Sequence, residues 1–396
     1  MTKNHCYLNA MGILCAAGSS AQQVKENLNS GINNLTYSDA YHPNKEFPLG
    51  MVNDVLPEMP LIDKKWHSRN NRMALAVLQQ IRPQVNDAIE RHGPHRVAVI
   101  IGTSTSGIYE SEKSIEKWLA TSVIPEDYDY GLQEMGAPAQ FIANVLGVTG
   151  PTYGISTACS SGAKALATAR RLLQSGLCDA VVAGGVDTLC RLTVQGFDSL
   201  QAISTERCNP FSNNRNGINI GEGAALFLVS QHRSGAELLG SGESSDAHHI
   251  SAPEPNGKGA IKCMKDALKD ANISAENIDY INLHGTATEL NDQMESRAVA
   301  HVFATNTLCS STKPFTGHTL GAAGAIEAGI CWMMLDNTAS SQFVPQHVWD
   351  KQADEQLPSL NLASPPCDSH TSINTVLSNS FAFGGNNISL ILGRIE

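Results

Sequence analysis

Residues 155–166 read ISTACSSGAKAL, a single cysteine set among small residues at the start of a helix-forming run. Before it, Pro151, Tyr153, Gly154 and Ile155 predict a turn and a short extended segment. After it, Ala163, Leu166, Ala167, Ala169, Arg170 and Leu173 predict a helix that ends near Gly176. Cys159 then falls at the helix N-terminus, where unpaired backbone N–H groups and the helix dipole favour a thiolate and lower its pKa. Small neighbours let a substrate reach the sulfur. Free cysteine is often only a small buried hydrophobe, and the chain has ten. Cys178, Cys190, Cys263 and Cys331, flanked by apolar or helical sequence, read as core filling. Cys159 alone has the surroundings of a nucleophile.

The chain is long enough, at 396 residues, for a large core or for two similar halves packed together. A hydrophobic content of 42% with 16% charged residues describes an ordinary soluble globular protein. The net charge of −11 argues against a nucleic-acid surface, while leaving room for a local basic patch facing an acidic protein. The N-terminal apolar run is broken by Asn9 and Gly12 and does not read as a signal peptide. No stretch reaches the roughly 20 apolar residues of a membrane span. Cysteines without a CxxC pair or a secretory signal fit the reducing cytoplasm and do not spell a zinc site.

Outward from the nucleophile stretch the chain reads as α/β. Residues 5–16 predict a strand and turn, 21–30 a helix ended by Gly31, and 35–62 an irregular segment. Residues 68–90 predict a helix that Pro83 breaks or kinks. RVAVII at 96–101 is a buried strand closed by Gly102, and GTSTSGI after it reads as a turn or as a wall of the substrate cavity. Residues 111–130 predict a surface excursion and 140–146 a helix. DAVVA at 179–183 predicts a strand ended by Gly184-Gly185, 209–223 a loop and 224–229 a strand. The plan then repeats: a helix at 258–271, a strand at 279–283 followed by HGTAT, and a loop and helix in KPFTGHTLGAAGAIEA. Strands at 374–380 and 388–392 flank AFGGNN. This predicts an internal duplication, with residues 1–230 carrying the nucleophile and 231–396 carrying the remaining chemistry.

That chemistry rests on two histidines. HGTAT sets His284 directly after an apolar strand, and GHTLGAAGA sets His318 just before a glycine- and alanine-rich helix. A histidine at a strand end is about as often structural as catalytic. Two of them in small-residue motifs beside a helix-tip cysteine tilt the balance to catalysis. As metal ligands, these two and His248-His249 lack zincin spacing and a completing carboxylate, so no metal is expected. GGNN and GEGAA have the wrong glycine spacing for a phosphate or dinucleotide loop.

Cys159 in TACSSGA, His284 in HGTAT, His318 in KPFTGHTLGAAGAIEA and the C-terminal NSFAFGGNN together resemble the β-ketoacyl-[acyl carrier protein] synthases, the decarboxylating condensing enzymes of the thiolase superfamily. SSDAHHISAPEPNG and NPFSNNRNGINIGEGAA also resemble that family, and the match runs in order over nearly the whole chain. The resemblance implies a thiolase-like fold of two duplicated halves in five αβαβα layers. It implies a cytoplasmic acyltransferase, a homodimer or a heterodimer with a related subunit. No cofactor is implied beyond the phosphopantetheine of the acyl carrier protein that delivers the substrates.

By the same resemblance Cys159 takes an acyl group from a carrier-protein thioester, and His284 and His318 stabilise the enolate formed when malonyl-carrier protein loses CO2. The N–H groups of Cys159 and Phe383 form the oxyanion hole, and Phe383 is also the gating aromatic. Lys313 and Glu327 match the charged pair behind the histidines, Thr286 and Thr288 the contacts to the pantetheine arm, and Ile108 the acyl-pocket lining. Ala287, Ala382 and Asn386 stand where Gly, Gly and Thr are common in the family. The set GTSTSGI, HGTAT and a short chain resembles synthases of bacterial accessory pathways such as aryl polyene synthesis. Lys64, Lys65, Arg69, Arg72 and Arg207 form a candidate basic patch for the acidic carrier protein, with an ordinary solvated helix start as the alternative. Rival readings are a chain-length-factor-type partner subunit, which lacks the nucleophile, a cysteine thioester hydrolase, which needs one base histidine, and a thiolase, which uses a second cysteine as base.

Overall fold

Val97–Gly102 is buried along its whole length, and it is the middle of a three-stranded parallel unit that fixes the first half of the molecule. The computed structural model describes residues 5–60, 63–303, 305–336, 343–364 and 372–395. In chain order the first half runs β1 (Tyr7–Cys15), α1 (Ala21–Ser30), β2 (Thr36–Ser38), β3 (Phe47–Leu49), α2 (Arg69–Gln80), α3 (Arg82–His92), β4 (Val97–Gly102), α4 (Ile108–Thr121), α5 (Ala137–Leu146), β5 (Thr152–Ile155), α6 (Ser161–Gln174), β6 (Ala180–Asp187), α7 (Arg191–Ser199) and β7 (Gly223–Ser230). The second half runs β8 (Ala236–Ser245), α8 (Lys258–Ala271), β9 (Tyr280–Asn282), α9 (Glu289–Val302), β10 (Leu308–Ser310), α10 (Lys313–Thr316), α11 (Ala323–Met334), β11 (Asn361–Leu362), β12 (Thr375–Phe381) and β13 (Asn386–Arg394).

The strand order of the main sheet displays the duplication. It reads β11-β10-β9-β12-β13-β8-β1-β7-β6-β4-β5. From its centre outward the first half is β1-β7-β6-β4-β5 and the second is β8-β13-β12-β9-β10. In both, the two inner pairings are antiparallel and the two outer ones parallel. A short antiparallel pairing of β1 with β8 joins them.

Alternating side chains divide the core into layers, because successive residues of a strand face opposite sides. Val97, Val99 and Ile101 pack outward with Met73, Val77 and Phe141 of α2 and α5. Ala98 and Ile100 face inward, onto Leu166 of α6 and Ile326 and Ile330 of α11. In the second half Val376 joins that inner cluster, while Leu377 faces out to Met264 of α8 and Met294 of α9. The layers are therefore helix, sheet, helix, sheet, helix, with α6 and α11 in the middle. Each fully buried large aliphatic side chain there contributes roughly 1.5–3 kcal/mol.

The glycine- and alanine-rich sequences of α6 and α11 let these two helices touch. A methyl group on Gly162 would sit 2.9 Å from the Ala325 Cβ, and one on Gly324 would sit 2.8 Å from the Ala163 Cβ.

Several expectations need correction. The helix after the nucleophile begins at Ser161, so Cys159 lies in the turn before it. β6 does not stop at Gly184-Gly185 but continues to Asp187, because those residues pair with β4 and β7. Residues 35–62 contain the β2-β3 hairpin, with Leu61 and Ile62 outside the described residues. The predicted break in 68–90 falls at Ile81, leaving Pro83 in the first turn of α3, where its missing N–H costs little. Most of 111–130 is helix, as α4, with an outward face carrying Ile115, Trp118 and Leu119.

Candidate active site

Cys159, His284 and His318 meet where the two halves join. The Cys159 turn is locked by small polar groups: Thr157 N–H donates to Ser161 Oγ at 2.9 Å, and Ser160 Oγ donates to Thr157 O at 2.7 Å. Ala158 has φ 52°, a left-handed conformation that a non-glycine residue adopts at some cost. The result directs the sulfur of Cys159, a residue 3% exposed, toward the second half. His318 Nε2 is 2.9 Å from Cys159 Sγ. The backbone of His318 is pinned on both sides, its N–H donating to Asn219 O at 2.6 Å and its carbonyl accepting from Gly221 N–H at 2.9 Å.

His284 stands with its ring centroid 5.3 Å from that of His318, nearly perpendicular to it. Its own N–H and that of Gly285 donate to the two oxygens of Glu295 at 2.8 and 2.7 Å. Lys313 Nζ lies 3.4 Å from His284 Nδ1 and forms a fully buried ion pair with Glu327. An ammonium can only donate, so Nδ1 accepts and the ring proton belongs on Nε2.

The charges follow from burial. Both histidines are held well below the ordinary imidazole range, first by burial and then by the Lys313 charge, so both are neutral near pH 7. Burial raises the Glu327 carboxyl, opposed by Lys313. Burial also pushes the Cys159 thiol up to about 11, partly offset by Lys313 and by the backbone N–H groups of Phe383 and Cys159. The expected low thiol pKa is thus reversed in the resting protein, because loss of water outweighs the N-terminal donors. Those two N–H groups nevertheless act on the sulfur.

A cavity of about 400 Å3 leads to the three residues. Thr286, Thr288, Phe383 and Arg215 are among the residues that line it, and the hydroxyls of Thr286 and Thr288 lie 2.9 Å apart. Ile108 does not line this cavity; it opens α4. Nor does GTSTSGI form its wall. Thr103, Ser104 and Thr105 instead wrap the buried Asp187, whose other oxygen accepts from Gly321 N–H at 2.6 Å.

The basic patch is largely dismantled. Arg69 donates to both oxygens of Glu222 at 2.9 and 2.6 Å and to Val52 O, and Arg72 donates to Leu56 O and Pro57 O. Arg207 donates to Pro314 O at 2.8 Å and lies over the Phe315 ring. These guanidinium groups brace the interior because their planar forks fit the facing carbonyls and carboxylate. Lys64 and Lys65 stay at the surface, Lys64 donating to Glu126 O and Lys65 pairing with Asp63 at 3.2 Å.

The ligand atoms of Cys159, His284 and His318 lie within 4.8 Å of one another. Such a set can accept a borderline-soft divalent ion, but the Lys313 ammonium behind His284 opposes a cation there. His248 and His249 join no such group among the described residues. Sequence reasoning missed Asp187, Asp292 and Glu295. Of these, Asp292 and Glu295 lie three residues apart on α9, a spacing that could have marked one helix face turned toward HGTAT.

Known proteins resemble this chain along its whole length. Residues 9–234 match the family model described as beta-ketoacyl synthase, N-terminal domain, and 235–346 the one described as beta-ketoacyl synthase, C-terminal domain. A 3-oxoacyl-[acyl-carrier-protein] synthase 2 of Coxiella burnetii is 31% identical over 100% of both chains. One of Staphylococcus aureus is 28% identical over 98% of both. Among solved structures, a chain of the ketosynthase ApeO in complex with its chain length factor ApeC, from Xenorhabdus doucetiae, superimposes with a TM-score of 0.92. It is 45% identical, over 99% of this chain and 98% of that one. A beta-ketoacyl synthase from Burkholderia phymatum gives 0.85 at 25% identity, over 99% of this chain and 100% of that one.

Proposed function

The chain belongs to the β-ketoacyl synthase family, and from that premise we propose that Cys159, His284 and His318 carry out its decarboxylative condensation. The 2.9 Å approach of His318 Nε2 to Cys159 Sγ, with His284 facing the same cavity, is the observation that carries the assignment. Cys159 Sγ attacks the carbonyl carbon of an acyl thioester on the carrier protein's phosphopantetheine, and its proton passes to His318 Nε2. The N–H groups of Cys159 and Phe383 receive the oxyanion. As the tetrahedral intermediate collapses, the pantetheine sulfur leaves and takes the proton from His318. Malonyl-carrier protein then enters and loses CO2. Its thioester oxygen, now an enolate, accepts hydrogen bonds from Nε2–H of His284 and from His318, which, neutral again and no longer facing a thiol, has exchanged its Nδ1 proton for one on Nε2. The carbanion attacks the acyl-enzyme, Cys159 departs, and the β-ketoacyl product is two carbons longer.

Supporting roles follow the geometry. Lys313, held by Glu327, keeps His284 in the tautomer with its proton on Nε2. Thr286 and Thr288 receive the pantetheine arm in the cavity. We assign no resident cofactor. Nine cysteines are free and buried among the described residues, which supports the cytoplasm as compartment. Among those residues no helix is long and apolar enough to cross a membrane.

A partner subunit is also proposed. Ile115, Trp118 and Leu119 of α4 are 45%, 46% and 73% exposed, and Val123 and Ile124 continue the apolar surface. A related chain, either a second copy or a chain length factor like that in the ApeO complex, would cover it. Possession of Cys159 makes this chain the acylated member of such a pair, in fatty acid or polyketide-type synthesis that includes the aryl polyene class.

Intact-mass measurement on the protein, alone and with any copurifying subunit, tests the reading against a panel of acyl-carrier proteins. An adduct on Cys159 that malonyl-carrier protein converts to a product two carbons longer is the expected result. No adduct with any primer in either state would overturn it.

A further inference from the structure

The turn Ala382–Asn386 joins β12 to β13 and holds Phe383 over the nucleophile. It is closed by Gly385 N–H to Ala382 O at 3.0 Å and Ala382 N–H to Asn386 O at 2.9 Å. Gly384 and Gly385 take φ 83° and 76°, backbone that a side chain at either position would strain. Two main-chain bonds tie its outer side to the 246–250 loop, Gly384 N–H to Ile250 O at 2.8 Å and Asp246 N–H to Gly385 O at 2.9 Å. Its inner side is tied to the nucleophile's own helix. Lys164, in the first turns of α6 five residues beyond Cys159, donates to Asn386 Oδ1 at 3.1 Å. Its side chain is only 13% exposed and also lies 3.5 Å from Glu243 on β8.

Resting on the reading of Phe383 N–H as an oxyanion donor, we propose that Lys164 and Asn386 are positioning residues that hold this donor in register with Cys159. The two oxyanion donors belong to different halves of the chain, so their separation depends on what connects α6 to the turn. Backbone contacts to the 246–250 loop cannot set it, because that loop belongs to the second half as well. The Lys164–Asn386 bond does cross the boundary. It also gives Asn386 a purpose where threonine is common in the family. A threonine hydroxyl sits on Cβ, one bond closer to the main chain than Asn Oδ1, so it reaches less far toward the ammonium.

Two rates on the same sulfur test this. Acyl transfer passes through an oxyanion, whereas alkylation by iodoacetamide is a direct displacement that forms none. Asn386→Leu, Lys164→Met and the double variant are compared with wild type by single-turnover acylation and by alkylation, both followed by intact mass. The expected result is a roughly tenfold slower acylation in each single variant, less than the 10²–10³-fold cost of losing an oxyanion donor outright, with alkylation unchanged. The double variant is then no slower than either single one. Asn386→Asp, which keeps the acceptor, restores acylation. Equal slowing of both reactions, or additive effects in the double variant, overturns the proposal. If a single variant fails to fold, Asn386→Thr carries the same prediction with less disturbance. Wild type that forms no acyl-enzyme refutes the underlying function instead, so the two failures stay distinct.

Discussion

The loops that leave β4 and β9 occupy matching places in the two halves and are held by the same device. After β4, the N–H groups of Ser104 and Thr105 donate to one oxygen of Asp187 at 2.7 and 2.9 Å. After β9, those of His284 and Gly285 donate to Glu295 at 2.8 and 2.7 Å. In each case a buried carboxylate satisfies two successive backbone donors. The first loop is occupied entirely with structure, since the hydroxyls of Thr103 and Thr105 turn back onto Asp187 as well. The second leaves an imidazole free to face the cavity. The matching loops take their anchors from different elements, Asp187 from the end of β6 and Glu295 from α9, and chemistry was placed on one of the two. The helix tips diverge similarly, with a cysteine before α6 and a histidine before α11.

The sharpest way to separate the tips is to remove each. Cys159→Ala eliminates the acyl adduct, visible by mass, while CO2 release from malonyl-carrier protein persists. Full elongation by that variant would falsify the covalent route. His318→Ala still acquires the adduct, more slowly, but its decarboxylation falls about 10²–10³-fold, as loss of an oxyanion donor does.

The anchors come next. Asp187→Ala strands three backbone N–H groups, of Ser104, Thr105 and Gly321, and Glu295→Ala strands two, at about 1–3 kcal/mol per unsatisfied group, so both melting temperatures fall, that of Asp187→Ala further. Glu295→Ala should also lower the decarboxylation rate by about tenfold more than Asp187→Ala, on the scale of general misplacement of a catalytic group. Equal rates would erase the distinction between the loops.

A pH profile sharpens it further. Both histidines titrate below 6.5 in the folded protein, so decarboxylation by Cys159→Ala holds level as pH falls through 6.5 and fails only well below it. A limb near 6.5 would show that an ordinary imidazole governs the step. Stability follows the same sign. With folded pKa values depressed, the unfolded chain takes up protons first, and the contribution of these residues present above pH 6.5 is lost as pH falls below it.

The smallest effect concerns the surface. Lys64→Glu with Lys65→Glu raises KM for carrier-bound substrates by about two- to fivefold, in keeping with exposed charges worth roughly 0.2–1 kcal/mol. The same change leaves small-molecule thioesters unaffected. Unchanged carrier-protein kinetics would remove these two lysines from the docking surface.

What the sequence made legible was whatever announces itself by residue type at short range. β4 and β6 are apolar runs, and Cys159, His284 and His318 are chemical side chains among small ones. What escaped acts through the main chain. Asp187 and Glu295 bind backbone N–H groups, which every residue but proline possesses, so no spacing betrays Asp187, and Glu295 shows only through the helix face it shares with Asp292. Arg69 and Arg72 look like surface charge until Glu222 and the carbonyls of residues 52, 56 and 57 are seen against them. Gly184 and Gly185 resemble a strand end but serve close pairing: a methyl group on Gly184 would lie 2.0 Å from Ala225 O. The thiol pKa was misread because burial, a property of the whole fold, outweighs the local helix tip.

The order in which the chain supplies its centre has a consequence for synthesis. In the proposed mechanism the nucleophile comes from residue 159 and its partners from 284 and 318, and the second N–H on the sulfur belongs to Phe383, in the turn before the last strand. A ribosome therefore releases the cysteine long before anything that makes it useful. Through most of translation the growing polypeptide holds an unassisted thiol with no site to present an acyl group to it. Under the proposed mechanism, a half-made chain lacks the groups that acylation of Cys159 requires.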